Sequence, residues 1–266
     1  GKKTGIKTDW HLKDEELDEY IETVLDARRR WEGKIKIYLG LELDFIEGLC
    51  SPADDDFQAL PLDYIIGSVH YVVSPKNGEL FAVDNAPEKF LAGFKEHFSG
   101  DGGALFKAYF RTNRGCIRSG GFDILAHPDL VKKNNGEFGF FSPEDPAYVK
   151  ELEETAEVLA SAIAEAGLEE TQAGLGTRAL RRPVAEINTG GMIRKRTADP
   201  YPSAAMLGFL RKLDVPLTIN ADAHAADHLG GHYEDAREAL LKAGYASTVF
   251  FEGRRDGKAL WREETL

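Results

Sequence analysis

Between residues 14 and 31 the apolar side chains Leu17, Tyr20, Ile21, Val24, Leu25 and Trp31 recur every three to four positions among Asp, Glu and Arg. That spacing predicts an amphipathic helix. Residues 35–43 alternate as a strand does, 54–60 read as a short helical turn and 64–70 as a second strand. Pro75 and Asn77-Gly78 make residues 72–84 a loop or hairpin. Helices are predicted over 87–99 and 105–114, then a strand over 122–126. Ser142-Pro143-Glu144 predicts the start of a long helix reaching Ala166, with Ser142 as its cap and Pro143 at the first helical position. Residues 167–182 show no period and read as a surface insertion. A strand at 184–188, a helix at 203–213, a strand at 217–221, a helix at 233–243 and a last strand at 247–251 complete the pattern.

Strand and helix alternate, which predicts a parallel sheet with crossover helices. Several of these strands end in side chains that bind metals: Glu42, His70, His127 and the pair Asp222 and His224. On extended backbone, residues i and i+2 point to one side, so Asp222 and His224 leave their strand together. Oxygen and imidazole nitrogen donors are what divalent metals take from proteins. A single His after an apolar run is commonly a core residue, and an Asp two positions before a His can cap a helix. The recurrence is harder to explain by packing, because ionised carboxylates are rarely buried without partners. Ligands from at least four strand ends favour a closed or nearly closed α/β barrel, whose active site lies on that face, over an open doubly wound sheet.

Composition narrows the class. The chain has 266 residues, 45 acidic against 33 basic and a net charge of −12. That fits one domain spanning 1–266 and argues against a nucleic-acid binder, which needs a basic stripe. The basic clusters Arg178-Ala179-Leu180-Arg181-Arg182 and Arg194-Lys195-Arg196 are short and suit a single phosphate group. No apolar run approaches the ~18 residues of a membrane span. Cys50 and Cys116 are too few for a disulfide framework or a cysteine-based zinc site. A cytoplasmic protein without a membrane partner is therefore expected. The chain opens Gly1-Lys2-Lys3-Thr4, and its methionines are Met192 and Met206.

In order, Gly40-Leu41-Glu42-Leu43-Asp44, Gly67-Ser68-Val69-His70, His127-Pro128-Asp129, Glu186-Ile187-Asn188-Thr189-Gly190-Gly191 and Ala221-Asp222-Ala223-His224 resemble motifs of the polymerase-and-histidinol-phosphatase family. Within it the chain looks most like the histidinol-phosphate phosphatases. Trp10-His11 ahead of the first helix and Pro200-Tyr201-Pro202-Ser203 ahead of a later one are also similar to that branch. The resemblance implies a distorted, seven-stranded (β/α)7 TIM-like barrel, two or three divalent metal ions (Zn, Fe or Mn) and hydrolysis of small phosphate esters. By motif, Glu42 would bridge two metals, His70 and His127 would complete one site, Asp222 would bind the second metal and His224 the third. Glu42, Asp222 and His224 are thus the expected catalytic set.

The chain departs from the family at its start. The family's first strand, ending in His-x-His, and its second, ending in Asp-His, have no counterpart here, so a first β-α-β unit is expected to precede these 266 residues in the natural protein. Arg194, past the Gly190-Gly191 pair, is the expected phosphate-binding cation, with Lys195 as the alternative. Asn188 is expected at the substrate or behind a ligand. Asp129 is expected either to support His127 or to cap a helix, and Asp44 to support a ligand. The main expectation is a metal-dependent phosphatase acting on L-histidinol phosphate, a step of histidine biosynthesis. A phosphoesterase of the same fold with another small phosphate or a nucleotide is the alternative. A non-catalytic relative that has lost its first ligands is a third reading.

Overall fold

The computed structural model describes residues 6, 11–166, 171–173, 177–180 and 183–266. A tight helical turn at Asp14–Glu16 leads into α1 (Leu17–Arg30), with the amphipathic face predicted for it. Strand β1 (Gly40–Asp44) is shorter than the pattern predicted. Its pairing begins at Gly40 opposite Tyr64, and residues 35–39 have no partner strand among the described residues. Instead Asp63 holds that approach: its carboxylate accepts from the Leu39 N–H and from Arg28, and its own N–H donates to the Leu39 carbonyl. Then come α2 (Asp55–Gln58), β2 (Tyr64–Ser68) and an antiparallel hairpin of β3 (Tyr71–Val73) and β4 (Leu80–Ala82) around the Asn77-Gly78 signal.

Helix α3 (Pro87–Phe98) is as expected, whereas α4 (Gly102–Ser119) begins earlier and ends later than its apolar pattern suggested. Asp101 caps α4 by accepting from Ala104 N. Two glycines in the first turn hide this start from a propensity reading. After β5 (Ile124–Leu125) and α5 (Asn135–Phe138), the long helix α6 (Pro146–Glu165) starts later than predicted. Its cap is Asp145, which accepts from Ala147 N, and Pro146 rather than Pro143 is its first residue. The residue before a proline is pushed out of the helical region, so Pro146 keeps Asp145 outside and sets the start.

Within the expected insertion, β6 (Thr171–Ala173) and β7 (Thr177–Leu180) form an antiparallel pair. The rest of residues 167–182 lies outside the described residues, as does Trp10. The chain continues through β8 (Val184–Asn188), α7 (Gly190–Ile193), α8 (Ala204–Lys212), β9 (Leu217–Asn220) and α9 (Tyr233–Lys242). It closes with a hairpin of β10 (Ser247–Arg255) and β11 (Lys258–Thr265). Strand β11 was not predicted, and β10 pairs antiparallel with it instead of continuing a parallel sheet. The Asp256-Gly257 turn returns the chain directly, leaving no room for a crossover helix.

The central sheet is parallel throughout, in the order β1-β2-β5-β8-β9. One face meets the helices: Leu125, Ala185, Ile187 and Leu217 share a core with Phe106, Tyr109, Leu152, Met206 and Leu210. On the other face, Ile124 and Val184 pack against Val249, Ala259 and Trp261 of the terminal hairpin. Arg254 seals this end by donating to both carboxylate oxygens of Asp123, at 2.9 and 3.1 Å. Because alternate residues share a face, Glu186 and Asn188 continue the Val184 side towards the C-terminal strand end. The same surface thus runs from an apolar, hairpin-covered end to a polar one.

Candidate metal centre and catalytic cleft

At the polar end lies a cleft of about 530 Å³. Carboxylates of Glu42, Asp44, Asp84 and Asp222 face it, together with cations of Lys89, Lys133 and Arg194 and the imidazoles of His11, His70, His127 and His224. Strand β1 contributes Glu42 and Asp44, and β2 ends two residues before His70. His127 follows β5, and Asp222 and His224 follow β9. The strand-end reading therefore brings all five expected ligands to one cavity.

Glu42, His70 and His127 form its tightest group, each offering a donor atom within 4.8 Å of the others. His127 Nε2 lies 3.1 Å and His70 Nε2 3.6 Å from the same oxygen, Glu42 Oε1. His70 is oriented from behind: its Nδ1 lies 2.7 Å from Asp44 Oδ1, while Asp44 Oδ2 lies 3.3 Å from His11 Nε2. Charge is strongly coupled here. Burial pushes the Glu42 carboxyl up, but the hydrogen bond and charge of His127, with the charge of His70, hold it at about 2. Burial pulls the His70 imidazole down, and the charge and hydrogen bond of Asp44, with Glu42, outweigh it and raise it to about 10. Against its own burial, Asp44 is held well below the usual carboxylate range by His70 and His11.

The second group gathers around Arg194. Its guanidinium donates to Asp222 Oδ2 at 2.7 Å, to the Asp222 carbonyl at 2.9 Å and towards His224 Nδ1 at 3.0 Å. Asp222 has φ of +49°, a left-handed conformation that Asp tolerates better than most side chains. Gly190 makes the approach possible, since a Cβ there would sit 2.7 Å from both Arg194 and Asp222 Oδ2. Across the cleft, Lys133 Nζ donates to the Asp84 carbonyl at 2.9 Å. Burial pushes its ammonium down, against the opposing charge of Asp84.

Other expected residues are placed differently. Lys195 lines a separate cleft with Lys132, Arg196 and Thr197. Asn188 is buried with its amide engaged: Nδ2 donates to Glu186 Oε1 at 2.7 Å, and Oδ1 accepts from Gly190 N at 2.8 Å. Asp129 neither bonds His127 nor caps its own short helix. Its Oδ2 accepts from Ser203 N at 2.7 Å, tying the loop after β5 to the start of α8. His127 Nδ1 is buried and meets no hydrogen-bond partner among the described residues. Sequence reasoning did not single out Asp84, Lys89, Lys133 or Glu186 individually. The available signals were a carboxylate inside the apolar run of β8 and a lysine six residues past His127.

The donor set fits a divalent metal. Two imidazoles present Nε2 to one carboxylate oxygen, a mixed nitrogen and oxygen set suited to Zn, Fe or Mn. The Asp44 contact behind His70 is the kind of support that ligating histidines use.

Fold and cleft define an α/β protein with a candidate divalent-metal centre at its strand ends. Over 246 residues, 92% of this chain and 79% of the other, it is 30% identical to a probable histidinol-phosphatase of Deinococcus radiodurans. The chain belongs to the histidinol-phosphatase family. A scan against models of known protein families gives no match. Among solved structures it resembles the putative histidinol phosphatase of Listeria monocytogenes, with a TM-score of 0.64 and 16% identity over 84% of this chain and 77% of that one. It also resembles the histidinol phosphate phosphatase of Lactococcus lactis subsp. lactis, solved with zinc, L-histidinol and phosphate. There the TM-score is 0.61 and the identity 18%, over 95% of this chain and 81% of that one. At those identities the likeness shows a shared fold.

Proposed function

We propose that this chain hydrolyses L-histidinol phosphate to L-histidinol and phosphate, using two or three divalent ions. The observation that carries the reading is the convergence of His70 and His127 on Glu42, in a cleft that also holds Arg194 and Lys133. The names of the relatives support the substrate. In this reading Glu42, His70 and His127 would hold one ion, Glu42 would also serve a second, and Asp222 and His224 would serve the others. Bound ions of this kind supply a deprotonated water near neutral pH and neutralise phosphoryl oxygens.

The remaining work falls to the protein. Asp44 fixes the ring of His70 so that Nε2 faces Glu42. With Asp222 and His224 serving as ligands, the Arg194 guanidinium would be free to meet the phosphate, where its fork geometry suits two oxygens. Lys133 gives a second cation on the opposite wall, and Asn188 shapes the Gly190 turn. The reading extends to a distorted barrel of the polymerase-and-histidinol-phosphatase kind, folded as one domain. The terminal hairpin would plug its N-terminal end, and the strand ends would bear the ligands.

A panel of phosphate monoesters assayed with Mn²⁺, Zn²⁺ or Fe²⁺ tests the substrate. A clear preference in kcat/KM for L-histidinol phosphate is expected. Equal or better turnover of nucleotides or other small phosphates would assign the cleft to a different phosphoesterase.

A further inference from the structure

Glu186 lies in the middle of β8 and is 2% exposed. A carboxylate in such a place is costly unless its oxygens are satisfied. Here neutral donors satisfy it. Oε1 accepts from the backbone N–H of His127 at 2.9 Å and from Asn188 Nδ2 at 2.7 Å, and Oε2 accepts from Asn220 Nδ2 at 2.7 Å. Among the described residues no Lys or Arg is hydrogen-bonded to it. The donors belong to the ends of three adjacent strands, β5, β8 and β9. Two of those ends lead directly into His127 and Asp222.

We propose that Glu186 is a positioning residue of the metal centre, its carboxylate joining the His127 and Asp222 strand ends so that their side chains face the same ions. The inference rests on the reading of His127 and Asp222 as metal ligands. The hydrogen-bond pattern calls for a polar side chain that reaches all three strand ends. Asn188 cannot turn its amide, because Oδ1 already accepts from Gly190 N, so the atom at the Oε1 position must accept from both His127 and Asn188. A glutamine could keep that oxygen by aiming its own NH₂ at Asn220, whose amide then turns to offer Oδ1, so the three strand ends stay joined. An apolar side chain of similar size would join none of them.

Glu186→Leu and the isosteric Glu186→Gln test this by calorimetric titration of the metal-stripped protein with Mn²⁺ alone, with melting followed by circular dichroism. Glu186→Leu is expected to weaken Mn²⁺ binding about tenfold or more, and Glu186→Gln to retain most of the affinity. Wild-type Mn²⁺ affinity in folded Glu186→Leu, even with a lowered melting temperature, would overturn the proposal by leaving Glu186 a purely structural residue. A folded Glu186→Gln that binds as weakly as Glu186→Leu would also overturn it. His127→Ala is titrated alongside. If wild-type protein binds no Mn²⁺, or His127→Ala binds like wild type, the metal reading itself falls and takes this inference with it.

Discussion

Asp44 Oδ1 lies 2.7 Å from His70 Nδ1, and this contact turns the opposite nitrogen of the ring towards Glu42. Asp44 follows Glu42 by two residues on β1, so one short strand supplies both a candidate ligand and the group that orients its neighbour's ligand. Asp44→Asn keeps the shape but removes the charge that holds His70. It is expected to weaken metal binding by about ten- to a hundredfold, as read by Mn²⁺ titration, with the protein still folded.

Protonation of the same cluster links pH to both stability and metal affinity. His70 is raised from 6.5 to about 10 because Asp44 and Glu42 outweigh its burial. Its contribution to the metal-free fold is therefore complete below about pH 6.5 and lost as pH rises through about 10. Glu42 is lowered from 4.5 to about 2, so its contribution is complete above about pH 4.5 and lost as pH falls through about 2. Metal-free protein is expected to melt at progressively lower temperature from pH 6.5 towards 10. A ligating histidine must be neutral, so metal affinity is expected to rise over that same interval with release of a proton. Calorimetry in buffers of different ionisation heat counts those protons, and a count of zero would contradict the assignment.

Gly190 lets Arg194 reach Asp222, and a methyl group there would press on both. Gly190→Ala is expected to lower kcat/KM roughly ten- to a hundredfold, the scale of the one charge-assisted contact that a displaced Arg194 would no longer make to the phosphate. Steady-state kinetics, with the melting temperature as control, measures this.

At the opposite end of the sheet, Trp261 is fully buried among Ile124, Val184 and Val249. Trp261→Ala is expected to cost about 3–5 kcal/mol of stability. Denaturant unfolding measures the loss, and metal affinity at low temperature should stay close to wild type.

The strands carrying Glu42, His70, His127 and Asp222 were legible because each is a short apolar run that stops at a charged or imidazole side chain. Their parallel pairing followed from the helices between them. What stayed hidden depends on contacts across sequence. Arg194 meets Asp222 over 28 residues, and Lys133 meets Asp84 over 49. Neither partner leaves a local signature. The start of α6 is ambiguous in sequence because two prolines compete, and only the second is preceded by a capping Asp. Asp256-Gly257 is a hairpin signal, but the alternation of β11 is short and rich in charge and does not mark a strand. Glu186 sat inside an apolar strand, where pattern alone does not separate a buried hub from a strand-face residue.

Metal-stripped protein reloaded stepwise with Mn²⁺ or Zn²⁺, while phosphate release from L-histidinol phosphate is followed, tests the central claim most directly. The account requires turnover to be absent without metal, to rise with bound metal, and to be abolished in His127→Ala while that variant stays folded. Metal-independent hydrolysis, or wild-type turnover in His127→Ala, would contradict it.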